Sequence, residues 1–453
     1  MTSIRAVPIG MITIAATTIA TVVATPAAAA VSAETAFIFN SFSFLVCGAL
    51  VMLMALGFTL LESGLVRSKN TAAICLKNMA LYSIAGLMFY IVGYNLMYTD
   101  VAGWIGSISL FYNPSEAELI LLGAEEASDE MVTAVVGNNY SVMSDWYFQM
   151  VFVATAASIV SGTLAERIKV WPFLIFVTVL TAIIYPIQGA WTWGGGWLSE
   201  LGFSDFAGST IVHSVGGWCA LTGAIVLGPR RGKFDKNGNV RPIPGANLPL
   251  ATAGTFVLWF GWFGFNGGSQ LALGSALDAV AMSIVFVNTN LAAAAGVVAA
   301  MALANILYRK IDLTLALNGA IGGLVAITAG PDLTNHLLSI IVGAIGGGLV
   351  VVAVPFIDRL KIDDVVGAIS AHLVAGIWGT LAVGIFGSGD LVVQLIGIAA
   401  IGAFCVVTSA IVWLALKYTI GIRVDAEDED LGLDHAELGQ EAYPEFGRGS
   451  QIV

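Results

Sequence analysis

Charge is what this chain has least of. Only 11% of its 453 residues are Asp, Glu, Lys or Arg, against 58% hydrophobic, and mean hydropathy is +0.88. No soluble domain of this length keeps such a composition hydrated, so soluble folds are excluded and a polytopic membrane protein is implied. Basic residues are scarcer than acidic ones, 18 against 30 for a net charge of −12, which argues against nucleic acid as a partner. Cysteine is also rare: Cys47, Cys75, Cys219 and Cys405 each fall in an apolar run without paired spacing. They read as small core residues, with neither a disulfide framework nor a zinc site behind them. Only four histidines occur and none in a His-Glu-x-x-His segment, so intramembrane zinc hydrolysis, and with it an enzyme, has no motif to stand on.

What is abundant is long apolar runs. At about 20 residues per crossing they predict eleven helices near 38–61, 72–97, 144–165, 170–191, 206–228, 248–272, 278–307, 312–329, 336–356, 365–386 and 392–420. The expected fold is an all-α polytopic membrane protein. Ahead of these, Arg5, an Ala/Ile/Thr/Val run and the small residues around Ala28-Ala29-Ala30 read as a signal peptide over residues 1–33, with an uncleaved first helix as the alternative. The cations cluster in alternate loops: Arg67 and Lys69, Arg167 and Lys169, Arg230 to Arg241, Arg309 and Lys310, Arg359 and Lys361, then Lys417 and Arg423. The positive-inside rule then places the mature N-terminus outside and the C-terminus inside. Lys77 alone lies within a helix, where it is expected to snorkel to the cytoplasmic edge. The stretch from Asp100 to Asp145 has no Lys or Arg, and residues 423–453 form an acidic tail; such runs are commonly solvated faces.

One constellation occurs twice. Asp205-Phe-Ala-Gly208 leads to His213, and Asp364-Val-Val-Gly367 leads to His372; each Asp is followed by Gly at three residues, His at eight and Gly (Gly217, Gly376) at twelve. The predicted topology runs the two helices in opposite directions, as an inverted five-helix repeat requires. Eight residues carry each His about 12 Å inward, so in a hydrocarbon layer of about 30 Å the two meet near the midplane. Intramembrane histidines are functional candidates by default, and two imidazoles in contact share a proton between N–H and lone pair. Neither has Glu, Asp or Cys one turn away, which disfavours a metal site. Asp205 and Asp364 read as helix N-caps, a role compatible with setting the potential at a cation site; Gly208 and Gly367 belong to the same turns.

Aromatics complete the pattern. Trp191-Thr-Trp193-Gly-Gly-Gly-Trp197 precedes Asp205, and Trp262-Phe-Gly-Phe265-Asn-Gly-Gly-Ser269 sets Phe265 and Ser269 one turn apart. An interfacial belt or core packing is the plain reading of either. Taken with Gly57-Phe58…Glu62-Ser-Gly64…Arg67, Phe148-Gln149 and Leu164-Ala-Glu166-Arg167, these segments resemble the Amt/Mep/Rh family of ammonium transporters, across essentially all of the mature chain.

The resemblance implies an outer recruitment site from Trp193, Phe148 and Ser269, a stacked pair Phe148 and Phe265 closing the pore, and twin histidines His213 and His372 along the conduction path. Asp205 matches the acid required near the outer site. It also implies homotrimers in the cell's inner (plasma) membrane, no cofactor, and cytoplasmic block by a PII signal protein. In the tail segment Asp434 to Pro444, however, Leu438 and Gln440 stand where the family carries His and Glu, which puts PII coupling in doubt. The physics is consistent: ammonium has the size of potassium, so selection needs cation–π contact and hydrogen-bond acceptors rather than a size filter. Recruitment, deprotonation and passage of ammonia, with the proton crossing separately, is the expected function. An ammonium receptor with little conduction is the alternative; sensor relatives often append a kinase or cyclase, and this chain ends about 30 residues after its last helix. A sodium-coupled carrier needs broken helices in matching positions, and an Rh-type gas facilitator is expected to lack Trp193.

Overall fold

The computed structural model describes residues 31–446, and the expected signal peptide lies almost wholly outside them. Long helices follow one another as α1 (Ala33–Leu65), α2 (Ser68–Tyr98), α3 (Val142–Thr163), α4 (Val170–Ala190), α5 (Ser209–Leu227), α6 (Leu248–Gly268), α7 (Ala276–Tyr308), α8 (Leu313–Ile327), α9 (His336–Arg359), α10 (Ile369–Phe386) and α11 (Leu391–Thr419). Among the described residues nine of these, all but α3 and α8, are long and apolar enough to cross a membrane. The apolar α8 has only 15 residues, and α3 is buried almost throughout. No strand forms among the described residues beyond two isolated bridges, one joining Ile168 to Arg423.

Polar punctuation sets the helix starts. Ser32, Asn247, Ser275, Asp312, Asn335 and Asp390 each accept a hydrogen bond from a backbone N–H of the first turn of α1, α6, α7, α8, α9 and α11 respectively, satisfying donors the helix leaves free. Between apolar helices in lipid, close backbone approach supplies the association. A Cβ on Gly64 would sit 2.4 Å from the Ala251 nitrogen, and one on Gly254 2.3 Å from that of Leu61, so α1 and α6, the first helices of the two halves, touch at a separation only glycine permits. Gly343 and Gly347 do the same for α9 against α7, where a Cβ would meet the carbonyls of Ala292 and Gly296 at 2.2 Å.

The Lys/Arg clusters converge on one face. There Glu166 accepts from Arg67 at 2.5 Å and pairs with Arg230 at 3.2 Å, while Arg230 grips both oxygens of Asp363 at 2.8 and 3.0 Å. Burial opposes ionisation of Asp363, yet hydrogen bonds from Arg230 and the charge of Arg167 hold its carboxyl well below the usual range. Lys77 does not snorkel. It is fully buried, donates to the Ser161 carbonyl at 3.2 Å and lies 4.9 Å from the Phe173 ring. A carbonyl and an aromatic face within reach compensate the ammonium where it stands, beside the buried carboxylate of Glu62.

Candidate functional site

The two repeated segments fold alike. Gly208 and Gly367 have φ of +111° and +81°, the left-handed region open to glycine without strain. Each leads into a wide π-type turn that carries the histidine, Ser209–Ser214 and Ile369–Val374. Asp205 caps the first: Oδ1 accepts from the nitrogens of Gly208 and Ser209 at 3.0 and 2.8 Å, and Oδ2 from those of Thr210 and Ile211 at 2.8 and 2.9 Å. Asp364 caps the second, accepting from Ala368 N, Ile369 N and Thr163 Oγ1. Burial raises both carboxyls, opposed by those same donors. With four backbone donors on its two oxygens, Asp205 has little left for a direct ligand. Its carbonyl also accepts from the Trp193 indole nitrogen at 2.9 Å, which fixes that ring.

His213 and His372 come together. Their Nδ1 atoms are 3.3 Å apart and the rings lie 5.3 Å centre to centre at 22°. Glycine makes room here too: a Cβ on Gly217 would strike Leu373 at 2.6 Å, and one on Gly376 the Ser209 carbonyl at 2.5 Å. One Nδ1 must donate to the other, so in the neutral pair one outward Nε2 carries a proton and the other a lone pair. His213 Nε2 is buried with no protein partner, and a buried polar atom in that condition calls for a small hydrogen-bonding guest.

Aromatic rings form a ladder through the pair. Tyr140 meets Phe44 at 4.9 Å, Phe44 meets Phe148 at 5.3 Å and Phe148 meets Phe152 at 4.8 Å. Phe152 stacks on Phe265 at 4.0 Å, Phe265 on His213 at 5.2 Å, and beyond His372 lies Phe58 at 6.0 Å. The expected stacking of Phe148 on Phe265 is therefore corrected: Phe152, one turn further along α3, is the partner. Phe148 is held one step outward, against Phe44 and so close to Gly268 that a Cβ there would sit 2.4 Å from its ring. Trp193 stands edge-on to Phe152 at 5.9 Å. Ser269 Oγ donates to the Phe265 carbonyl at 2.8 Å, which leaves its lone pairs free. The sequence signal for Phe152 was the i, i+4 spacing from Phe148, which puts both on one helix face.

On the basic side of His372 a cavity of about 530 Å³ is lined by Arg230, Lys233, Asn318, Asp364 and Ser370 among others. Ser370, two residues before His372, keeps a buried hydroxyl without a partner. The carbonyl a helical serine normally takes, that of Val366, is occupied by Asn318 Nδ2 at 3.0 Å.

The acidic tail is docked on the same face. Glu429 bridges Arg423 Nη2 and Arg231 N, each at 2.7 Å, and Lys69 donates to the carbonyls of Glu429 and Asp430. Asp434 accepts from Ala72 N and Ala73 N at 3.0 and 2.9 Å, and Glu437 from Val170 N at 2.9 Å. Two tail carboxylates thus cap the starts of two core helices, α2 and α4.

An all-helical protein with nine apolar helices long enough to cross a membrane among the described residues, and a buried histidine pair beside stacked rings, has the build of a membrane transport protein rather than of an enzyme. The chain belongs to the ammonium transporter family, whose model matches residues 42–443. It is 39% identical to the ammonium transporter Amt2 of Archaeoglobus fulgidus, over 89% of this chain and 87% of that protein. To the ammonium transporter of Bacillus subtilis it is 31% identical, over 88% and 96%. Among solved structures it resembles a sensor Amt protein (TM-score 0.81, 37% identity, 90% of this chain and 100% of that one) and Saccharomyces cerevisiae Mep2 (TM-score 0.75, 26% identity, 88% and 91%).

Proposed function

We propose that this protein recruits ammonium beside Trp193, Phe148 and Ser269, and passes it inward past the stacked Phe152 and Phe265 as neutral ammonia along His213 and His372. The Nδ1 contact between the two histidines carries this reading. It leaves an outward donor and an outward acceptor in an otherwise apolar passage; ammonia uses both, whereas a dehydrated potassium ion finds a single lone pair in place of its hydration shell. The rings supply cation–π attraction outside and a dry barrier within, where a permanent cation loses its hydration without replacement. Beyond His372 the basic-side cavity with Ser370 and Asp364 receives the product. Asp205 acts by holding the Trp193 ring and the His213 turn, and by its charge.

The basic face is read as cytoplasmic, with the N-terminus outside after signal removal, eleven crossings, and residence in the plasma (inner) membrane as a homotrimer. Residues 423–446, docked across α2 and α4, form the regulatory element a PII protein would contact. The proton lost at recruitment crosses separately, and transport carries net charge. Purified protein in proteoliposomes tests this: ammonium pulses should evoke currents and ammonium uptake that equal potassium pulses do not. A receptor is the second reading, favoured by likeness to the sensor Amt protein; it predicts ammonium binding with no ammonium-dependent flux in the same vesicles.

A further inference from the structure

We propose that Asp145, with Tyr94, Tyr98 and Tyr140, forms a second cation subsite outside the Phe148 and Phe152 rings, where ammonium is held before it reaches Trp193. The inference deepens the ammonium reading and rests on it for the ligand.

Asp145 stands in the first turn of α3 and is 7% exposed. A carboxylate there usually serves the free N–H groups of its helix, but this one takes none. Its two hydrogen bonds come from side chains, Tyr94 Oη–H and Gln149 Nε2, the latter at 3.2 Å. Both donors are neutral, and among the described residues no Lys, Arg or His forms an ion pair with it. The chain offers none nearby, since residues 100–145 hold no Lys or Arg. A buried carboxylate without a counter-cation is costly, and a bound cation removes that cost.

The surroundings suit one small monovalent cation. The Tyr94 ring lies 5.0 Å from Tyr98 and 4.1 Å from Tyr112, and Tyr98, Tyr112 and Tyr140 are all within electrostatic reach of the carboxylate. Tyr98 Oη is buried with no partner, an oxygen ready to accept from an N–H. One carboxylate, tyrosine faces and a spare hydroxyl match ammonium better than a divalent ion, which demands more oxygens. The position fits passage as well: Tyr140 touches Phe44, Phe44 touches Phe148, and Asp145 precedes Phe148 by three residues, a rise of about 4.5 Å.

The test uses the full chain in proteoliposomes. Asp145→Asn keeps the shape and still accepts from Tyr94, and should raise the ammonium concentration for half-maximal flux about tenfold, the worth of a hydrogen bond to a charged group, while maximal flux is kept. Tyr98→Phe should raise it less, and Asp145→Glu should stay near wild type. An unchanged half-saturation in Asp145→Asn overturns the subsite, as does a fall in maximal flux alone, which a purely structural Asp145 produces. If Asp145→Asn does not assemble, Tyr98→Phe decides by the same criterion. Tryptophan fluorescence in detergent, with Trp146→Phe identifying the neighbouring reporter, titrated with ammonium chloride at constant ionic strength, reads the subsite without flux. A wild type that conducts no ammonium yet shows this response, lost in Asp145→Asn, refutes transport and keeps the subsite.

Discussion

Replacing His213, His372 or both by Leu measures how far the pair acts as a unit. In the wild type the Nδ1 atoms are 3.3 Å apart, both residues are at most 2% exposed and His213 Nε2 has no hydrogen-bond partner among the described residues. Removing one ring leaves the other Nδ1 buried without a partner, which costs about 1–3 kcal/mol. Flux per protein should then fall by roughly 5- to 150-fold if that cost appears in the barrier, at about 1.4 kcal/mol per factor of ten. Removing both takes away the orphan as well as the guest contacts, so the second substitution should cost less than the first. The expected coupling is about 1–2 kcal/mol, beyond the roughly 0.5 kcal/mol within which independent sites add. The assay is initial ammonium flux in proteoliposomes, normalised to incorporated protein, across the four proteins of the cycle. Additive losses would refute the argument that the two imidazoles form one element. Equal flux in all four would remove the pair from conduction altogether.

Other substitutions probe the remaining parts. Phe152→Ala opens the 4.0 Å stack on Phe265 and should admit potassium or water, whereas Phe148→Ala should mainly weaken ammonium recruitment; a potassium-competition measurement separates them, and the reverse outcome would restore Phe148 as the inner ring. Trp193→Leu should weaken selection for ammonium by roughly 0.5–2 kcal/mol, read as a higher half-saturation with unaltered protein level. Glu437→Gln should leave assembly intact and loosen the α4 start by about 0.5–2 kcal/mol, seen as faster amide exchange around Val170; truncation after Arg423 should expose α2 as well and change flux. Acid should spare the basic-face cluster down to about pH 4, the unfolded carboxylate value. Because Asp363 is depressed in the fold, its contribution is complete above that value and is lost as pH falls towards the folded one. Arg230→Met should move acid loss of thermal stability to higher pH.

The membrane class, the repeat and the meeting of the histidines were legible in the sequence because each rests on spacing along helices, and helical rise is nearly constant. Asp205 and Asp364 could be recognised as caps for the same reason. Which aromatic closes on Phe265 was not legible: Phe148 and Phe152 share a face of α3, and only the depth at which α3 crosses α6, set by Gly268 meeting Phe148, chooses between them. Lys77 misled because charge in an apolar helix suggests escape to the surface, while its actual compensation comes from Ser161 and Phe173 on other helices. Asp145 was hidden in an acidic stretch that composition reads as solvated. The acidic tail read as a solvated run, whereas its contacts with Arg231 and Arg423 and its capping of α2 and α4 by Asp434 and Glu437 depend on tertiary register that no local pattern encodes.

The two repeated segments match in backbone and not in chemistry, and on the proposed transport reading this difference gives the passage a direction of approach. Beside His213 stand Trp262 and Phe265, with Phe152 and then Trp193 stacked beyond Phe265, while Asp205 is spent on four backbone donors. Apart from His213, Phe58 is the one ring neighbour of His372 among the described residues; Asp364 keeps fewer backbone donors and lines a cavity, and Ser370 presents a free hydroxyl where the first repeat has Ile211. On the proposed reading, a cation arriving by way of Trp193 meets π faces and must shed its proton to pass the stacked rings. On the same reading, a neutral molecule leaving past His372 meets the oxygens of Ser370 and Asp364 and, among the described residues, no aromatic stack comparable to Phe152 on Phe265. The proposed reading thus concentrates selection around the first repeated segment and release around the second, although the two share one local fold. Exchanging Ile211 for Ser and Ser370 for Ile in one protein should therefore change release more than recruitment, shifting maximal flux while leaving half-saturation in place.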